Sequence, residues 1–234
     1  MRVLAIGCHP DDIEIACAGT LAKYKKLGHD VIMCHLANGD LGHAVIMPGE
    51  LRVIRTKESE EAGDLIGVEV INGDIGDLCV DSNDIKIRDK VVDIIRYARP
   101  DVIITHNPDD YMIDHVSASK LVFDASYIAS VPHYRSVVTP PTKITPIYYM
   151  DTFSGLNFYP TEYVDITDTM DIKLKMLEKH QSQLKWMKEH DNLDFIDYVR
   201  TIAKFRGLQC GVAYGEAFAQ CMAWPKVSTQ RLLP

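Results

Sequence analysis

Short apolar runs alternate with longer amphipathic stretches from the first residues onward. Residues 2–7 (Arg-Val-Leu-Ala-Ile-Gly) are too few for a stable helix and nearly all apolar, the pattern of a strand buried on both faces. The apolar spacing becomes helical over 17–28, where Gly28 is a stop. Residues 31–36 form a second buried run, and Asn38-Gly39-Asp40 with Gly42 marks a loop at its end. Pro48-Gly49-Glu50 opens a helix over 50–66 that closes at Gly67. A short strand over 68–71 follows. The next helix, 84–98, carries Ile85, Ile87, Val91, Val92 and Ile95 at helical spacing, and Pro100 ends it. Further strands are expected at 102–105 and 147–150. Further helices are expected at 115–129, after residues 165–168 to about 187 with Thr167 or Asp168 as cap, and at 193–205. The proline-rich stretch 132–146 is the least regular and reads as a loop, a lid or an oligomer contact.

This alternation predicts an α/β class: a Rossmann-like, mostly parallel sheet with helices on both faces, formed by one domain over 1–234. The 234 residues, 47% hydrophobic, can bury a full core. A net charge of −8 argues against a nucleic-acid partner, since phosphate binding needs a basic surface. No apolar run approaches the roughly 20 residues that cross a bilayer, so membrane insertion is not expected. Arg2 is followed by too short an apolar segment for a secretory leader, which points to the cytoplasm. Six cysteines without a C-x-x-C pair read as reduced thiols.

The chemistry sits where two strands end. His9-Pro10-Asp11-Asp12 follows the first strand directly, and Asp110-Tyr111-Met112-Ile113-Asp114-His115 follows the strand at 102–105. Ligands of open α/β sheets bind at the carboxyl ends of strands. A turn can aim His9 and Asp12 at one ion, and zinc accepts such nitrogen and oxygen ligands. Asp11, beside them, is placed to take a proton from water. His115 is the candidate third ligand and Asp114 a group to orient an imidazole. His106, Asp109 and Asp110 are reserves, and His106 equally reads as the start of a turn. A dinucleotide site is excluded, because the glycine-rich turn is missing and carboxylates repel phosphate. Metal-dependent ester or phosphoester hydrolysis could use similar ligands, but no second complete metal set is visible.

Together these clusters resemble the LmbE-like/PIG-L family of zinc-dependent N-acetylglucosamine deacetylases. The matches are His9-Pro10-Asp11-Asp12 with Gly19-Thr20, Asn38-Gly39-Asp40 with Gly42, and Arg55, Glu58, Ala62 and Gly67. They continue through Asp110 to His115, Lys175, His180, Ser182 and Gln183, Arg206-Gly207, and Tyr214 to Phe218. The resemblance implies the LmbE-like deacetylase fold, with His9, Asp12 and His115 on zinc or another divalent metal. It implies Asp11 as general base, and Arg55 against the sugar or an anionic aglycone. The substrate would be a small N-acetylated amino-sugar conjugate, the products acetate and a free amine, and the assembly a homo-oligomer, in relatives frequently a hexamer.

From spacing alone Arg55 could merely pair with Glu58 on a helix surface. Asp40 either bonds near the first cluster or closes its own loop. His180, Tyr214 and Glu216 either reach the site or close a subunit contact. One position departs from the family. Relatives read Tyr-His-x-Asp-His where this chain has Tyr111-Met112-Ile113-Asp114-His115, so a histidine that steadies the reacting group and helps the leaving amine is replaced by Met112. A thioether does neither well. His106 and His133 are the candidate stand-ins. The alternative is a weak or inactive zinc-containing protein that binds sugar or regulates.

Overall fold

Seven strands form one sheet in the computed structural model, which describes residues 1–138 and 140–234. Their spatial order is β3-β2-β1-β4-β5-β7-β6. The strands are β1 (Arg2–Gly7), β2 (Asp30–Ala37), β3 (Glu69–Ile75), β4 (Val102–Thr105), β5 (Ile147–Met150), β6 (Glu162–Asp165) and β7 (Gly215–Gln220). The first five run parallel, whereas β7 is antiparallel to both β5 and β6. The helices are α1 (Asp12–Ala16), α2 (Ala18–Lys26), α3 (Pro48–Asp64), α4 (Ile85–Ala98), α5 (Ile113–Ile128), α6 (Met170–Leu177), α7 (Gln181–His190) and α8 (Phe195–Cys210).

Alternation along β1 divides the core. Val3 and Ala5 face a layer built from α1, α2, α3, α6, α7 and α8, and Leu4 and Ile6 face α4 and α5. Both faces are therefore covered, which is why the central strands are continuously apolar. The fold is the expected Rossmann-like one, with helices on both faces of a mostly parallel sheet.

Chain order turns back at β1. The chain runs outward through β2 and β3, then crosses to β4 on the other side of β1. This switch point opens a crevice beyond the carboxyl ends of β1 and β4. The loops carrying His9 and His115 start there.

Several elements differ from expectation. The turn after β1 runs straight into α1, so the helical region starts at Asp12, and α1 and α2 break at Cys17. The helix expected to follow residues 165–168 and run to about 187 begins at Met170 and is interrupted at Glu178–His180. Thr167 and Asp168 do not cap it; the N-cap is Thr169, whose hydroxyl donates to the Gly19 carbonyl. The interruption follows from two buried contacts. His180 is turned inward beneath α1, and Glu58 accepts from the amide and hydroxyl of Ser182 to start the next helix. Buried Arg96 donates to the carbonyls of Ala129, Val131, Tyr134 and Val138, which pins the start of the 132–146 stretch against α4; Thr139 lies outside the described residues. Among the described residues no helix is long and apolar enough to cross a membrane.

Candidate metal centre

The turn after β1 is tight because Gly7 permits it. A Cβ there would lie 2.9 Å from Ile13 Cγ1 and 3.2 Å from Asp12 Cβ, so any side chain would push α1 off the strand end. Asp11 takes the N-cap of α1 with φ 119°, a left-handed conformation that Asp tolerates better than most residues. The next residue, Asp12, swings back, and its Oδ2 accepts the His9 amide at 2.6 Å. Asp11 and Asp12 thus leave the backbone in different directions.

His9, Asp12 and His115 present one ligand atom each within 4.8 Å of one another, the distribution of a single ion's donors. His115 Nε2 lies 3.3 Å from Asp12 Oδ1 yet has no aligned hydrogen bond, although it is buried. An orphaned imidazole nitrogen aimed at a buried carboxylate is what a metal would satisfy. The electrostatics agree. Burial works against charge on His115, but Asp12 and Asp110 outweigh it and hold the imidazole up at about 9. Burial likewise opposes charge on Asp12, yet His115 keeps its carboxyl well below the usual range. The donor set draws in positive charge, so the residues fit a divalent cation.

Outer contacts fix the two imidazoles. His9 Nε2 meets Asp114 Oδ2 at 3.1 Å, and that oxygen also accepts the Leu78 amide at 2.8 Å. His115 Nδ1 meets Asp110 Oδ2 at 3.0 Å. Both imidazoles therefore have a carboxylate behind them, which sets tautomer and ring direction. Asp110 is only a reserve in the sequence reading; its spacing from His115, across one loop and the first turn of α5, was the available signal. Replacing Asp110 by Asn is expected to weaken metal affinity about 10- to 100-fold. Competition against a chromophoric chelator measures it, and unchanged affinity would remove Asp110 from this role.

His106 has a structural task. Its Nε2 accepts the Cys8 amide at 2.8 Å, tying the end of β4 to the end of β1, and its ring stacks on His115 at 3.9 Å. Burial and the neighbouring His115 push it down to about 4, so it stays neutral. His133 is exposed and does not line the cavity described below.

Arg55 is buried and does not pair with Glu58. Its Nη1 donates to the Gly39 carbonyl at 3.2 Å, and its Nη2 donates to the Pro10 carbonyl and lies 3.3 Å from Asp11 Oδ2. Gly39, at φ +74°, makes room, since a Cβ would sit 2.5 Å from the guanidinium. Asp40 Oδ1 accepts the Asp77 amide at 3.0 Å, tying the loop after β2 to the loop after β3, and Asp40 does not line the cavity. His180 is fully buried, its Nε2 3.3 Å from Glu14 Oε1, and lies below the site. Glu216 is also remote from it. This residue accepts the Gly19 and Thr20 amides and the Lys173 ammonium, stapling the start of α2 to β7.

These groups open onto a cavity of about 560 Å³. His9, Asp11, Asp12, Arg55 and His115 form its floor, and Met112 and Phe153 belong to its wall.

A family model described as PIG-L, GlcNAc-PI de-N-acetylase, matches residues 4–126, more than half of the chain. The chain belongs to the PIG-L family. Among its relatives is a diacetylchitobiose deacetylase of Thermococcus kodakarensis, 30% identical over 92% of this chain and 81% of that protein. The solved N,N′-diacetylchitobiose deacetylase of Pyrococcus horikoshii superposes with a TM-score of 0.79 at 29% identity, covering 94% of this chain and 83% of that one. GalB of Pseudomonas putida, a 4-carboxy-2-hydroxymuconate hydratase, superposes with a TM-score of 0.83 over 99% and 100% of the two chains; at 21% identity this shows the fold alone. PIG-L membership and the His–Asp–His donor set make the protein a metal-dependent amide hydrolase, an N-deacetylase of the sugar-amide class, with zinc the metal its donors suit.

Proposed function

We propose that this PIG-L protein removes the acetyl group from an N-acetylglucosamine-containing saccharide, giving acetate and a free amine. The observation that carries the reading is a carboxylate, Asp11, standing beside a complete His9–Asp12–His115 donor set on the floor of a sugar-sized cavity. Zinc held by those three residues would supply Lewis acidity toward the acetyl carbonyl and lower the pKa of the attacking water.

The chain's own groups do the remainder. Asp11 accepts one proton from the water as its oxygen bonds to the acetyl carbon, and returns it to the nitrogen as the C–N bond breaks. Burial pushes the Asp11 carboxyl up to about 6; Asp12 acts in the same direction and Arg55 opposes it. That range suits a group that must both take and give a proton. Arg55 holds the carboxylate in place through Pro10, Gly39 and Asp11 itself, and Asp114 keeps His9 turned to the metal.

The diacetylchitobiose deacetylases among the relatives support a saccharide substrate. The same reading includes a homo-oligomer, supported by family resemblance, and a cytoplasmic location, supported by six free thiols. Met112 on the cavity wall supports the second reading, a zinc-holding sugar-binding protein of little activity. Acetate release over a panel of N-acetylglucosaminides, by zinc-reconstituted and metal-free protein, separates the two. Zinc-dependent release is expected, and a folded, zinc-loaded sample that releases none would overturn the deacetylase reading.

A further inference from the structure

The mouth of the cavity is apolar and comes from three separate loops. Leu41 follows β2, Leu78 follows β3, and Met112 and Ile113 open α5 after β4. Leu41, Leu78 and Ile113 are 53%, 70% and 72% exposed, yet all three line the cavity. Leu78 is held at φ 62°, a left-handed conformation that leucine rarely adopts. The strain has a visible cause: its amide donates to the Asp114 oxygen that also meets His9. The turn that orients a metal-ligating histidine thereby presents a leucine at the entrance. Phe153, Met187 and Phe195 continue the apolar surface inward.

The charge in the cavity is one-sided. Asp11, Asp12, Asp77 and Asp114 line it. Arg55 is the one cationic Lys or Arg among the described lining residues. Its terminal nitrogens are turned to the Gly39 and Pro10 carbonyls and to Asp11, and its Nε is buried without a partner. Among the described lining residues the terminal guanidinium nitrogens are thus taken by protein groups, and only the buried Nε–H is unpartnered. Even with a divalent ion and Arg55 counted, the lining is net acidic.

We propose that the collar of Leu41, Leu78, Met112 and Ile113 is the aglycone subsite, and that it selects an uncharged aglycone with an apolar face over one carrying carboxylate or phosphate. The C–H face of a second pyranose and an aryl ring share this chemistry. An apolar face gains by leaving water against these side chains, while an anion must shed its hydration beside four carboxylates. The inference rests on the N-acetylglucosaminide reading above and narrows its substrate.

The test reads binding as well as turnover. Calorimetry on the zinc-loaded, unaltered protein compares non-cleavable methylsulfonamide analogues of N-acetylglucosaminides whose aglycones are phenyl, N-acetylglucosaminyl, malate or inositol phosphate; turnover is measured with the corresponding acetamides. The two uncharged glycosides are expected to bind at least about ten-fold tighter than the two anionic ones. Ile113→Lys, at an exposed position, is expected to shift that ratio about ten-fold toward the anions. Equal or tighter binding of the anionic glycosides by the unmodified collar, a ratio insensitive to Ile113→Lys, or binding of none of the four overturns the inference. Selective binding with no zinc-dependent turnover would remove the deacetylase reading and leave the subsite standing.

Discussion

Asp11→Asn is expected to lower kcat by about 10²- to 10⁴-fold while the protein keeps its zinc. The carboxyl of Asp11 belongs to none of the described side-chain sets that converge within 4.8 Å, the set of His9, Asp12 and His115 included. Its Oδ2 faces the guanidinium of Arg55 instead. Asn has nearly the same shape and, like Asp, accepts the left-handed backbone that φ 119° demands, so the turn that aims Asp12 is retained. What disappears is the proton acceptor. An amide cannot take a proton from water, and no other carboxylate is free to do so, because Asp12 belongs to the donor set and Asp114 and Asp77 are bonded to backbone amides. Metal content by elemental analysis, beside steady-state rates, checks both halves of this result. Loss of zinc in proportion to activity would make Asp11 a ligand rather than a base.

The readable part of the fold was the part buried on both faces. β1, β2, β4 and β5 appear as apolar runs because helices cover the sheet on either side, and the ends of β1 and β4 place His9 and His115 in one crevice. β6 and β7 were not legible. Glu-Tyr-Val-Asp at the sheet edge is too short to show a period, and Gly-Glu-Ala-Phe-Ala-Gln owes its strand to antiparallel pairing with β5 and β6, far away in sequence. The break between α6 and α7 leaves no glycine or proline to mark it; it depends on Glu58, 124 residues before Ser182.

The same limit applies within the site. The candidate ligands His9, Asp12 and His115 stand in two local clusters in the sequence, and the structure brings them within 4.8 Å of one another. Their supports act across the chain, as when the Leu78 amide meets Asp114 or Arg55 reaches back to Pro10. A pattern of residue types shows that an arginine or a glutamate is present, but not whether it faces substrate or frame. Arg55, His180 and Glu216 all have that ambiguity in sequence, and the structure turns each of them toward protein groups.

Met112→His is expected to raise kcat by about 10²- to 10³-fold, the reverse of what loss of one donor to a developing negative charge typically costs. Met112 is the N-cap of α5, 38% exposed, on the cavity wall three residues before His115. Its sulfur offers no proton to the acetyl oxygen or to the departing amine. No other histidine supplies one from the described residues. His106 lies behind His115 with its Nε2 taken by the Cys8 amide, His35 and His180 are fully buried beside Glu14, and His29, His43, His133 and His190 do not line the cavity. The two imidazoles that do line the cavity, His9 and His115, are the proposed zinc ligands. A histidine at 112 would therefore add a donor type that the wall now lacks, on a helix start whose backbone is already fixed by the Met112 amide donating to Asp110. Rates must be compared at equal zinc content, with the glycoside that the unaltered protein turns over best. A gain shows a deacetylase centre working without one donor. No gain, with zinc retained, shows that the wall around residue 112 has diverged from amide cleavage and shifts the weight to sugar binding.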